Sequence, residues 1–193
     1  MAFGNLLLGA FTQLVGDYAQ AVEALGALVG TAARVLPVST AKTHLGAELA
    51  DSTPVETELA VRGLHKSPIR HLFLKDPSAK AYGPALEAIT QAALVVIGPG
   101  SLFMTVLATL LFDGMREALR TTPGQVVYIC NTTTQPGQTD GYCALNHVER
   151  VVEFLGAGTL AVVLVNRSEH DRELLEQYET VGNLDGRQQG RCV

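Results

Sequence analysis

Residues 93–103 read ALVVIGPGSLF. An apolar run ends in a Gly-Pro-Gly turn and then enters a helical pattern. A run this short, bounded by turn residues, predicts a strand buried on both faces, as a parallel sheet requires. The signal recurs downstream, where 126–129 (VVYI) and 160–165 (LAVVLV) are two further apolar runs. Helical patterns over 102–112, 114–120 and 140–155 separate the three runs, and another follows at 169–178. Strand and helix alternating at this spacing give right-handed crossovers and a parallel sheet. The fold class is therefore α/β, a three-layer Rossmann-like parallel sheet flanked by helices.

Upstream of this stretch, 84–92 predicts a helix and 69–74 a strand. Around them, 45–75 forms a β-rich insertion. Glu48, Glu56 and Glu58 interleave with apolar positions there, and Pro54 marks a turn. The same insertion carries Arg62, His65, Lys66, Arg70, His71 and Lys75, read as a solvated strand face. A short strand is expected at 34–38. Residues 5–30 predict two helices broken at Gly16-Asp17, with Asp17 capping the second. The polar, glycine-containing stretch 182–193 reads as a disordered tail, which leaves 1–181 as a single α/β domain.

Composition narrows the class of function. The 193 residues are 47% apolar and 17% charged, enough to bury a substantial core. The net charge of −5 runs against a nucleic-acid surface, which needs an excess of positive charge. Residues 1–16 are uncharged, but no Lys or Arg precedes the apolar run, so a signal peptide is not expected. The uncharged stretch 88–112 is cut by Gly98-Pro99-Gly100, and neither piece could span a bilayer. No membrane insertion and a cytoplasmic location are the resulting expectations. Three cysteines without a CxxC pair argue against a disulfide framework and a zinc site.

Ligands of open parallel sheets bind beyond the carboxyl ends of the strands. The first such end is Gly98-Pro99-Gly100-Ser101. Gly98 and Gly100 allow close backbone approach, the amides of the following helical turn favour a phosphate, and Ser101 can donate its hydroxyl or cap that helix. The second is the polar loop 131–142, NTTTQPGQTDGY. Asn131, Thr134, Gln135, Thr139, Asp140 and Tyr142 offer donors and acceptors suited to a sugar, a ribose or a phosphate. Gly137 supplies the turn. Asp140 could instead cap the next helix or hold a metal as a lone carboxylate. The third end is 166–168. His147 and Cys130 read as packing residues. No Ser–His–Asp order, paired carboxylate motif or metal-ligand cluster stands out, so no catalytic or metal residue is assigned. The residues themselves lead to an anion or nucleotide site at the strand ends.

The motifs IGPGSLF (97–103), LLFDGMREAL (110–119) and VVYICNTTTQPGQTDGY (126–142) resemble the YvcK/CofD family. GNLLL (4–8), RVLPVS (34–39), PALEAI (84–89) and VLVN (163–166) fit the same resemblance. One branch, CofD, transfers a phospholactyl group to a deazaflavin with magnesium. The other, YvcK, consists of gluconeogenesis factors linked to carbon metabolism, cell shape and cell-wall synthesis, which bind UDP-sugars. The two loops look like the YvcK branch. The resemblance therefore implies a nucleotide-sugar-binding regulator more than an enzyme, with no required cofactor. Its alternatives are a magnesium-dependent 2-phospho-L-lactate transferase, or an inactive fragment or scaffold. Carried over by motif, the ligand-facing residues are Gly98, Gly100, Ser101, Asn131, Thr134, Gln135, Gly137, Thr139, Asp140 and Tyr142, with Asn5 from GNLLL. Phe103, Met104 and Thr105 stand where Tyr-Thr-Ser is usual in that family. Thr133 replaces a Met, Gln138 a Glu and Asn146 an Asp, which weakens metal-assisted or acid–base chemistry. The sequence starts at GNLLL, so it is expected to lack the family's N-terminal Rossmann half. An incomplete sheet would leave an apolar patch, from which a homo-oligomer is expected.

Overall fold

A computed structural model describes residues 3–167 of the chain. It begins with two helices, α1 (Phe3–Val15) and α2 (Tyr18–Leu28), which pack on each other. The Gln20 amide donates to Asp17 Oδ1 over 2.8 Å, so Asp17 caps α2 as its sequence position suggests. No residue of α1 is fully buried, and Phe3, Leu6 and Leu14 are exposed.

The β-rich insertion is an antiparallel sheet in the order β2 (Pro54–Val55), β1 (Leu45–Leu49), β3 (Ile69–Leu74), with the single-turn helix α3 (Glu58–Val61) between β2 and β3. Ala47, Leu49, Ile69 and Leu72 turn one face of it into the core. Residues 34–38, expected as a strand, are irregular. This segment ties to the next layer instead: the Val38 carbonyl accepts from the Tyr82 amide at 2.8 Å, and just beyond it the Ser39 side-chain hydroxyl donates to the Lys80 carbonyl at 2.7 Å.

Helix α4 (Gly83–Gln91) leads into the parallel sheet β4 (Leu94–Ile97), β5 (Gln125–Ile129), β6 (Val162–Leu164), ordered β4-β5-β6. The fold is α/β with a parallel sheet flanked by helices. Ile97, Val126, Tyr128 and Cys130 face a buried cluster with Leu102, Phe103, Val106, Leu107, Met115, Leu119, Val151 and Leu155. The three helical stretches between the strands supply those partners. The expected single helix over 102–112 is a π-helix, Leu102–Leu107, followed by one α-turn, α5 (Ala108–Leu110). Helix α6 (Met115–Thr121) precedes β5. Helix α7 begins at Ala144 rather than 140 and runs to Leu155, with the Cys143 amide held by Asn146 Oδ1 at 3.0 Å. The helix and tail expected beyond 168 lie outside the described residues.

Burial of the strands on both faces does not hold. Alternate residues of β4, β5 and β6 face the core, but Leu94, Val96, Val162 and Leu164 on the other face are exposed. Among the described residues, no helix is long and apolar enough to cross a membrane.

Candidate functional site

The loops after β4 and β5 meet at the carboxyl edge of the parallel sheet. Gly98 sits at φ +78°, and a Cβ there would lie 2.7 Å from the Ile129 carbonyl oxygen. Only glycine lets the β4 loop lie this close to the end of β5. Two residues on, the Gly100 amide donates to Asn131 Oδ1 over 2.9 Å. That amide is therefore committed to Asn131 rather than open to a ligand.

Ser101 is the joint between the loops. Its hydroxyl donates to Gln135 Oε1 at 2.6 Å, lies 3.4 Å from Gln138 Oε1, and accepts from the Met104 amide at 3.3 Å. It thus caps the π-helix while holding the second loop. Within 131–142, Thr139 Oγ1 accepts from the Gln135 amide at 2.7 Å, and the Thr139 amide returns a bond to the Gln135 carbonyl at 2.9 Å. Asp140 Oδ2 accepts from the Gly137 amide at 2.7 Å, so this carboxylate caps its own turn, not α7. Thr134, Gln138 and Thr139 are buried polar residues in this web, and Asp140 is exposed. A π-helical turn is a rare geometry, frequent at functional sites.

The structure brings together Gly98, Gly100, Ser101, Asn131, Gln135, Thr139, Gly137 and Asp140. Thr134 is buried in the same loop. Tyr142 closes the same loop: its amide donates to the Thr139 carbonyl at 3.0 Å, its ring meets Phe103 edge-on at 6.3 Å and His147 at 5.5 Å, and its hydroxyl accepts from Arg150 Nε at 3.4 Å. Asn5 is an exposed residue of α1.

One group that the sequence did not single out for this site belongs to it. Lys66, from the β-rich sheet, donates its Nζ to the Gly137 carbonyl beside Asp140. Partial burial pulls its pKa below the ordinary lysine value, while the Asp140 carboxylate opposes the shift. Gly137, at φ +76°, is where this layer closes on the loop, since a Cβ there would lie 2.5 Å from the Gly63 carbonyl oxygen. His147, which Tyr142 meets edge-on, is a fully buried packing residue, with Nδ1 3.0 Å from the Cys143 carbonyl and no hydrogen-bond partner for Nε2 among the described residues. Burial lowers its pKa. The signal for Lys66 was present as the basic run 62–75, but strand alternation alone does not say which of those cations crosses to another layer.

The family model described as 2-phospho-L-lactate transferase CofD matches residues 1–190. The chain belongs to the CofD family. Among relatives, the gluconeogenesis factor of Halalkalibacterium halodurans is 37% identical over 165 residues, covering 86% of this chain and 51% of that protein. The gluconeogenesis factor of Bacillus subtilis is 33% identical over 178 residues, covering 92% of this chain and 56% of that protein. A crystal structure of a UPF0052 family member from Bacillus halodurans superposes with a TM-score of 0.89 at 33% identity, over 95% of this chain and 59% of that one. The CofD-family chain thus spans about half the length of the curated relatives it matches. The family match and the likeness to gluconeogenesis factors agree with the motif resemblance at 97–142.

Proposed function

We propose that this chain is a regulatory binding protein for a nucleotide sugar of the UDP-sugar class, acting in the cytoplasm as a gluconeogenesis factor linked to carbon metabolism, cell shape and wall synthesis. The observation that carries the proposal is the web Gly100–Asn131, Ser101–Gln135 and Gln135–Thr139, which locks two polar loops into one surface at the strand ends. A preorganised polar surface is what a sugar or diphosphate needs, because little ordering remains to be done on binding. In this reading the loop 131–142 takes the sugar or ribose and 98–101 the phosphates. Lys66 adds a cation beside them.

Magnesium, which a transferase reading would require, meets a poor donor set. Asp140 spends Oδ2 on the Gly137 amide, and no group of three His, Cys, Asp or Glu among the described residues could hold a metal ion. The residues present do not fit a resident metal, and no step is derived through one. The transferase reading is favoured by the description of the family model alone. Turnover of a phospholactyl donor with a deazaflavin acceptor would establish it.

Thermal unfolding with UDP-N-acetylglucosamine, UDP-glucose and inorganic phosphate tests the proposal. A ligand at about 100 times its Kd adds ~2.7 kcal/mol, a visible rise in Tm. A rise with a UDP-sugar but not with phosphate supports the reading. No rise with any UDP-sugar at millimolar concentration refutes it for this chain.

A further inference from the structure

Two turns of the β-rich insertion are built on an unusual backbone. Among the described residues, Ser52 (φ +67°) and His65 (φ +57°) are the two non-glycine residues in the left-handed region. A side chain with a Cβ avoids that region, and one kept there is held by its surroundings. Ser52 lies in the turn between β1 and β2, and His65 in the irregular stretch between α3 and β3. The two turns brace each other. The Ser67 hydroxyl donates to Asp51 Oδ2 at 2.5 Å, while Asp51 Oδ1 accepts from the Thr53 amide at 3.0 Å. Beside them the Ala50 amide donates to the Pro68 carbonyl at 2.8 Å.

From this braced base, the stretch 63–66 meets one residue of the candidate site at two points. The Gly63 carbonyl oxygen lies against Gly137, where a Cβ would come within 2.5 Å of it. Lys66 Nζ donates to the Gly137 carbonyl. His65 stands between the two contacts, and its left-handed backbone turns the chain so that both reach the same glycine. Arg62, Arg70 and Lys75 of the same basic run pair with Glu58, Glu48 and Glu56 at exposed positions, whereas Lys66 spends itself on the loop. Gly137 belongs to the turn in which the Gln138 and Thr139 amides both donate to the Gln135 carbonyl, at 3.0 and 2.9 Å. Gln135 is in turn the acceptor of the Ser101 hydroxyl. A hold on Gly137 is therefore a hold on the joint between the two loops.

We propose that Lys66 is a positioning residue of the candidate site, aimed by the left-handed backbone of His65, and that the stretch 63–67 clamps the 135–140 turn in its ligand-ready form. The effect of the clamp on affinity rests on the reading of this site as a UDP-sugar site. Its hold on the turn does not.

The test uses the full 193-residue chain and measures amide exchange without ligand, Tm, and affinity for UDP-N-acetylglucosamine and UDP-glucose. In Lys66→Met, exchange of the Gln138 and Thr139 amides should rise about fivefold or more, while the Cys130 amide, bonded to the Leu164 carbonyl in the sheet, keeps its rate. Lys66→Arg keeps a cation and should hold those rates within about twofold of the parent. Lys66→Met should also lower Tm by a few degrees and weaken UDP-sugar binding about fivefold. His65→Gly separates positioning from a merely structural tie. Glycine takes the left-handed region without steric cost, so Tm should not fall. The freed chain should nevertheless let Lys66 leave Gly137, raising the same exchange and weakening binding by a similar factor. One variant thus loses stability, the other keeps it, and both lose affinity. Unchanged exchange at Gln138 and Thr139 in Lys66→Met overturns the proposal, as does a rise shared equally by Cys130. A parent chain that binds a UDP-sugar no better than Lys66→Met and His65→Gly do overturns it too, since the tie would then serve the fold alone. If the parent chain binds no UDP-sugar, the reading of the site falls, and the exchange rates alone uphold or overturn the clamp.

Discussion

The contact between the β-rich sheet and the 131–142 loop can be weighed with one pair of glycine substitutions. Gly137 and Gly141 both have positive φ, +76° and +72°. Alanine at either position pays the left-handed backbone cost of ~1–2 kcal/mol. Their surroundings differ. A Cβ at Gly141 meets nothing within 4 Å, whereas one at Gly137 lies 2.5 Å from the Gly63 carbonyl oxygen and must push it back by about 0.9 Å to reach ordinary contact at 3.4 Å. That retreat also pulls Lys66 from the Gly137 carbonyl, a charge-assisted bond whose loss costs ~1 kcal/mol at a half-exposed site. Gly141→Ala should therefore destabilise by ~1–2 kcal/mol, and Gly137→Ala by at least ~2–3 kcal/mol before the displacement of Gly63 is added. Urea unfolding at constant m-value reads the difference. Combining Gly137→Ala with Lys66→Met should be less than additive, since both remove the same bond. Equal destabilisation by the two alanines would mean that the Gly63 backbone does not press on the loop, and the placement of Lys66 beside Asp140 would fall with it.

Three further outcomes follow from the site and core. Asn131→Ala strips the Gly100 amide of its acceptor and should cost ~1–2 kcal/mol by chemical denaturation, while abolishing any Tm rise with a UDP-sugar. Burial holds the His147 pKa below 6.5, so between that depressed value and 6.5 the folded chain binds fewer protons than the unfolded one. Its contribution is complete above pH 6.5 and is lost as pH falls, with a slope of at most ~1.4 kcal/mol per unit. Subtracting the unfolding free energies of His147→Phe, measured from pH 7 to 5, should expose that slope, and a flat difference would refute it. Leu102→Ala, at a fully buried position in the first turn after Ser101, should cost ~2–5 kcal/mol and broaden hydrogen exchange through 102–107.

Local signals carried much of this fold. The runs at 93–97, 126–129 and 160–165 became β4, β5 and β6 because apolar strands bounded by Gly-Pro-Gly or polar turns have few alternatives. Asp17 capped α2 for the same local reason. The failures are those of range. Residues 34–38 have strand-like composition but pair with no strand among the described residues, and the Val38 carbonyl bonds the Tyr82 amide instead. The π-helical start of 102–107 is invisible to a 3.6-residue period, since it follows from Ser101 accepting the Met104 amide while bonding Gln135 across the sheet edge. Coverage of the sheet's second face is likewise a property of whatever packs there, not of the strand's own composition.

The candidate site divides along the same line. Glycines and amide side chains at strand ends announce themselves in sequence, because the loop after a buried parallel strand has a fixed place in the fold. Ser101, Asn131, Gln135 and Thr139 accordingly fall together. Tyr142 joins Thr139 through its amide, while Phe103 and His147 offer its ring an edge-to-face seat that the motif could not foretell. Lys66 does join, although it stands 71 positions from Gly137 and within a run of cations with a ready explanation as a solvated face. Its neighbours Arg70 and Lys75 do have that role, pairing with Glu48 and Glu56 at exposed positions. What separates Lys66 from them is partial burial against a backbone carbonyl of another layer. A cation gives up hydration only where acceptors replace the lost water, and for Lys66 the Gly137 carbonyl beside Asp140 is that acceptor, so the lysine ties the segment before β3 to the 131–142 loop.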